Sequence, residues 1–95
     1  MSYQLPIDYT KLSPKERREV RLQYIDLQER KCFYCEESLD ANPPSQITDK
    51  KINWNRFPPN FLKHPIHLQH CHKTGMTEGA VHAYCNAVMW QYEGR

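Results

Sequence analysis

A small α+β domain closed by a metal ion is the fold class the sequence predicts, and three observations predict it. The run "SPKE" is a helix-start signature ahead of a charged, partly apolar segment. Near the other end, "IHLQHCHKTGMTEGAVHAYCNAVMWQYEG" reads as strand, turn, strand and helix. Finally, Cys32 with Cys35 and His82 with Cys85 form two pairs of metal-ligating side chains at identical spacing. A chain of 95 residues is expected to be one domain, with a core small enough that an ion or disulfides commonly supplement it. The opening "MSYQLPID" lacks the basic and apolar stretches of a secretory leader, so a reducing, cytoplasmic setting is expected. There, C-x-x-C more often holds a metal than a disulfide. Apolar runs of only a few residues fall well short of a membrane span, so no membrane partner is expected.

Taken in order, residues 1–12 show no periodicity and read as an arm. Ser13 as N-cap, Pro14 at the first helical position and Glu16 as reciprocal partner start a helix within 13–30, expected from Pro14 to about Glu29. Its apolar side is Val20, Tyr24, Ile25 and Leu27, with Leu22 on the flank, and the other side is rich in Arg and Glu. Residues 31–40 hold "CFYC" in a tight turn, the first metal knuckle. Residues 41–65 carry five of the seven prolines and are expected to be an extended insertion pinned by Trp54, Phe57 and Phe61. Residues 66–94 supply strands over 66–72 and 76–84, a turn at "KTG", and a helix from Asn86 to Gly94. Met76, Met89, Val88 and Trp90 are expected to fill the small core.

Zinc favours four soft or borderline ligands in a tetrahedron, and two residues between ligands let one turn present both to the same ion. Cys32, Cys35, His82 and Cys85 therefore form a candidate structural site, clamping knuckles separated by 46 residues. Two other readings stand beside it. The C-x-x-C could be a buried pair or a redox motif, although the βαβ alternation of a thioredoxin-like chain is absent. Alternatively, Cys71 could replace His82, although Cys71 has no partner at knuckle spacing.

Three histidines remain close together once His82 is assigned. Strand alternation puts Leu68, His70 and His72 on one face and His67, Gln69 and Cys71 on the other. Two imidazoles near Asn86 make a plausible hydrolytic centre, with a His as base towards water and Asn86 orienting it or binding a cation. Asn86 alone would be an ordinary helix-start residue, and His64 and His67 read as surface or hairpin-packing residues. Although the net charge is only +2, basic residues concentrate in "KLSPKERREVR" and "DKKINWNRF". Arg17, Arg18, Arg21, Lys50, Lys51 and Arg56 are candidate phosphate contacts; the plainer reading makes them solvated charges.

The same residues carry a resemblance. In "CFYC", "HLQHCH", the turn glycine of "TGMTEGAVHAYCN" and the Asn directly after the last zinc ligand, the chain resembles the HNH (His-Me finger) nucleases. Within them it is similar to the recombination endonuclease VII group of phage enzymes, over roughly residues 32–92. The resemblance implies a zinc-stapled ββα-metal finger that hydrolyses DNA phosphodiesters with Mg²⁺ or Mn²⁺; low sequence specificity is expected because 95 residues leave little room for a separate base-reading module. It also implies a phage-encoded protein acting in a host cell, allows branched or nicked DNA as substrate, and allows a homodimer. By the same resemblance His70 is the general base, His72 a second active-site histidine, and Asn86 a holder of the catalytic cation. His82 stands where the group more often has cysteine. Gln69 replaces the usual Asp or His that binds the cation, and Cys71 replaces a frequent Asp, so weaker Mg²⁺ affinity is expected. Gln69 and His70 could share one centre only if the strand is bulged there. A nucleic-acid-binding zinc module without the chemistry, or a zinc-stapled adaptor of a larger assembly, are the alternative functions.

Overall fold

The computed structural model describes residues 2–94. Its first long element, α1 (Pro14–Leu27), starts as its capping box dictates. Ser13 Oγ accepts from the Glu16 amide at 3.2 Å, and Glu16 Oε1 accepts from the Ser13 amide at 2.9 Å. The helix ends two residues before the expected Glu29. Arg30 donates its amide to Ile25 O at 2.8 Å and Glu29 to Asp26 O at 3.1 Å, a Schellman ending with Glu29 and Arg30 at φ of 55° and 60°. The buried side of α1 is also narrower than expected. Val20 and Ile25 are buried and Tyr24 is half-buried, whereas Leu22 and Leu27 are 61% and 66% exposed.

A hairpin carries the rest. Strand β1 (Ile66–His70) pairs antiparallel with β2 (Thr77–His82), and the register shifts between Gln69, opposite Gly79, and His70, opposite Thr77. Glu78 is thus left without an opposite residue, which is a β-bulge. Both strands are shorter than expected: at the hairpin end the link closes on itself, with Cys71 donating to Met76 O at 2.9 Å and Gly75 donating to Cys71 O at 2.7 Å with φ of 79°, and at its far end β2 gives Ala83 and Tyr84 to the last helix. After a one-turn α2 (Ser45–Thr48) in the insertion, the last helix is α3 (Ala83–Glu93). It starts three residues ahead of Asn86, its first amide bonded to Pro65 O at 2.8 Å, and it ends on left-handed Gly94 as expected.

The 1–12 segment is not a free arm in its described part. Tyr9 donates to Gly75 O at 2.8 Å, Thr77 donates to Ile7 O at 2.9 Å, and Asp8 bridges Met76 beside the hairpin. Tyr3, Leu5, Ile7 and Tyr9 pack around Leu12, Val20 and Leu68. The reading of no periodicity is thereby corrected: these residues alternate in "YQLPIDY", although the segment forms only the single bridge at Asp8 and not a strand. The Pro-rich insertion likewise folds onto the domain. Phe57 meets Trp90 at 5.2 Å, Trp54 meets Tyr84 at 5.4 Å, and Phe61 meets His67 at 4.7 Å, so the three expected aromatic pins hold. The main core joins Ile25, Leu39, Ile47, Val81, Val88 and Met89 to Cys32 and Cys85. Met76 lies only half-buried, and Trp90 is 36% exposed rather than in the core.

Candidate metal centre and basic cleft

Cys32, Cys35, His82 and Cys85 converge: their ligand atoms all lie within 4.8 Å of one another, and none of the cysteines is in a disulfide. His82 Nδ1 is 3.5 Å from Cys35 Sγ and 3.6 Å from Cys85 Sγ. A tetrahedron with metal–sulfur bonds of about 2.3 Å and a metal–nitrogen bond of about 2.0–2.1 Å has edges of roughly 3.5–3.8 Å, so these separations fit. The outer contacts fit as well. His82 Nε2 lies 2.8 Å from Ser38 O and 2.9 Å from Ala41 O, which places its proton on Nε2 and frees Nδ1 for the sulfurs. The amides of Tyr34 and Cys35 point at Cys32 Sγ from 3.4 and 3.5 Å. The hydrogen bond from the Cys85 thiol, with these amides, holds Cys32 down to about 4, and the same contact pushes Cys85 up. The cluster is able to hold a metal ion, and its donors are consistent with zinc. Cys71 is outside it, in the hairpin turn, where the Thr74 amide and hydroxyl lower its pKa.

The knuckle reaches the hairpin through a close approach. Gln28 presents its side-chain amide to Ala80 like an added strand residue, accepting from Ala80 N at 2.8 Å and donating to Ala80 O at 2.9 Å. Phe33 also donates its amide to Ala80 O at 2.9 Å. A Cβ on Gly79 would lie 2.7 Å from Gln28 Oε1 and 2.9 Å from Phe33 Cβ, so only glycine fits.

Beside the centre, a cavity of about 410 Å³ is bordered by His67, His70, His72 and Asn86 and by Arg17, Arg18 and Arg21 of α1. Among the described residues the one ion pair is Arg30 with Asp40, so these three arginines face no carboxylate partner. His70 stacks on Tyr9, with centroids 4.0 Å apart and planes 7° from parallel, and the Arg17 guanidinium lies 4.0 Å from the same Tyr9 ring. His72 meets His70 edge-on at 5.0 Å. Burial first, and then the neighbouring His72 and Arg17, push the His70 pKa below its ordinary value.

Residues that alternation assigns to opposite faces border the same cleft, including Gln69 next to His70. The register shift falls opposite those two residues, but its extra residue, Glu78, lies on β2, so the bulge is in the partner strand and not in the strand that carries Gln69 and His70. Gln69 is buried; its Nε2 donates to His70 O at 2.9 Å and to Glu78 Oε1 at 3.4 Å. His67, read from sequence as a packing residue, holds Asn86. Its Nε2 lies 2.9 Å from Phe61 O, and its Nδ1 lies 3.0 Å from Asn86 Nδ2. The carbonyl fixes the proton on Nε2, so Nδ1 accepts from the amide and Asn86 Oδ1 is left free. Burial keeps this imidazole neutral by lowering its pKa.

Not every expected basic residue joins the cleft. Arg56 borders an adjoining cavity that shares His72 and Asn86. Lys50 and Lys51 border neither: Lys50 Nζ lies 5.0 Å from the Tyr92 ring, and Lys51 O accepts from Gln91 Nε2 and Tyr92 Oη. Tyr9 was not foreseen as a site residue, since it lies in the segment read as an arm. No helix among the described residues is long and apolar enough to cross a membrane. Compared with family models, with curated proteins and with solved structures, the chain matches none of them.

Proposed function

We propose that the protein is a small HNH-type endonuclease, a zinc-stapled ββα-metal finger that hydrolyses DNA phosphodiester bonds with low sequence specificity. The observation that carries this reading is the convergence of His70, His72 and Asn86 on one cleft whose other wall is three arginines without carboxylate partners. Phosphates would lie along Arg17, Arg18 and Arg21, which position a strand without reading its sequence. His70, whose pKa burial and the neighbouring His72 and Arg17 lower, accepts the proton of the attacking water. Stacking on Tyr9 fixes the plane of that imidazole.

The residues present fit a hard divalent cation in donor type. The amide nitrogen of Asn86 is committed to His67, so its amide oxygen is free, and Gln69, though buried, borders the same cleft with its nitrogen on His70 O; oxygen donors suit Mg²⁺ or Mn²⁺. Such a cation, when bound, supplies positive charge at the scissile phosphate and its leaving oxygen. Two neutral amides supply little charge of their own, and this favours a second reading, a nucleic-acid-binding module without turnover.

Supercoiled plasmid incubated with Mg²⁺ or Mn²⁺ decides between them. The native protein is expected to nick it, and His70→Ala to lower the rate by at least about 100-fold while binding persists. Binding without cleavage by the native protein would leave the module, and neither binding nor cleavage would leave an adaptor.

A further inference from the structure

The adjoining cavity, about 280 Å³, is walled by Phe57, Phe61 and Trp90, with Arg56 at its rim and His72 and Asn86 on the side of the cleft. The insertion supplies the first two rings, and α3 supplies Trp90. Arg56 lies over the Trp90 ring, its Cζ 5.2 Å from the centroid, and Phe57 meets that ring edge-on. Arg56 has no carboxylate partner among the described residues. A cluster that served only to pin the insertion would close over its rings. Phe57 and Phe61 also help pin the insertion, as does Trp54, which contacts Phe57, Phe61 and Tyr84 and is itself 39% exposed; of the three, Phe57 and Phe61 border this cavity and Trp54 does not. Trp90 stays 36% exposed beside the open space, while Phe57 and Phe61 are half-buried.

Aromatic walls, a guanidinium and two polar edges, next to a cleft for phosphates, are what a nucleobase requires: a flat face to stack on and a cation for the adjoining backbone. We infer that this pocket takes one unpaired base of the DNA strand lying in the basic cleft, so that the preferred substrate presents single-stranded DNA next to the scissile phosphate. The inference rests on the nuclease reading for its substrate but not for its pocket. A base within a stacked duplex is shielded on both faces and cannot enter, so duplex DNA engages only the arginines. The Pro-rich insertion then has a role: it builds one wall of the pocket.

The chain has two tryptophans, and Trp54→Phe leaves Trp90 as the sole reporter. In that background, without added divalent cation, an unstructured oligodeoxynucleotide is expected to quench the Trp90 fluorescence and to bind more tightly than the same sequence as a duplex. In the native background, Trp90→Leu is expected to weaken single-strand binding about 10-fold, leave duplex binding within about 2-fold, and let Trp90→Phe recover most of the loss. Arg56→Ala, at an exposed position, is expected to weaken single-strand binding and to lower the salt slope by about one. Equal quenching by duplex and single strand would overturn the inference, as would Leu and Ala variants that bind the single strand like the native protein. Absence of cleavage with Trp90 quenching intact would sink the nuclease reading alone, whereas cleavage indifferent to strandedness and to residue 90 would sink the pocket alone.

Discussion

At the residue scale, the side chain that sequence reasoning undervalued is His67. Its neighbours on β1 sit at motif positions, and alternation places it on the far face from His70, so nothing in the pattern marks it. In the fold, residues of both faces border the one cleft, and His67 is the acceptor that turns the Asn86 amide. Without it, Asn86 is free to flip, and under the proposed nuclease reading it would then offer nitrogen to the cation in place of oxygen. His67→Ala is therefore expected to raise the Mn²⁺ concentration for half-maximal cleavage about 10- to 100-fold, the usual cost of removing such a supporting contact. His67→Ala also removes packing against Phe61, so cation titration rather than rate alone is the informative measurement. A stability loss with the cation dependence unmoved would leave His67 a packing residue. The metal cluster, by contrast, was legible because its spacing carries the chemistry directly. Two turns each presenting a pair need no knowledge of register, and only the choice of His82 over Cys71 needed coordinates.

At the element scale, legibility follows from whether a boundary is written in side chains or in backbone. The start of α1 is written in Ser13, Pro14 and Glu16, and its position is as read. Its end is made by backbone bonds around two residues at positive φ, neither of them glycine, so no residue type announces it. The docked N-terminal segment is a middle case, with Tyr3, Leu5, Ile7 and Tyr9 alternating but interrupted by Pro6. Those two left-handed residues store strain, because a Cβ in that region costs about 1–2 kcal/mol. Glu29→Gly removes this at the C′ position, against a loss of unfolded-state restriction, for an expected net gain of roughly 0.5–1 kcal/mol. For a domain of this size that is an increase in Tm of a few degrees, about 2–8 °C, measurable by thermal circular dichroism on metal-loaded protein. A fall in Tm would mean that the Glu29 side chain, not its backbone, is what matters there.

At the scale of the whole molecule, two packed regions must be held together by little apolar material. Fourteen hydrophobic residues are buried among those described, and of these three are alanines and two are the ligands Cys32 and Cys85. A radius of gyration of 12.9 Å is nonetheless what a compact chain of this length has, about 12–13 Å, so the insertion and N-terminal segment are folded in. The metal cluster sits where this economy is tightest. It ties the knuckle after α1 to the junction of β2 and α3, within the main core, and that junction also carries Asn86. A structural zinc ion is worth on the order of 10–16 kcal/mol in small fingers, comparable to or above the roughly 5–15 kcal/mol that a whole domain has in reserve. Removing the ion should therefore abolish the fold rather than loosen one loop. Purified protein is expected to contain about one zinc per chain by mass spectrometry, to lose cooperative thermal unfolding and near-ultraviolet dichroism on chelation, and to recover both when Zn²⁺ is restored. Cys32→Ser should reproduce the chelated state, whereas Cys71→Ser, outside the cluster, should melt within a few degrees of the native protein. A metal-free sample that still unfolds cooperatively at its original Tm would show that the apolar core suffices, and the four side chains would then have to be explained as a packing cluster.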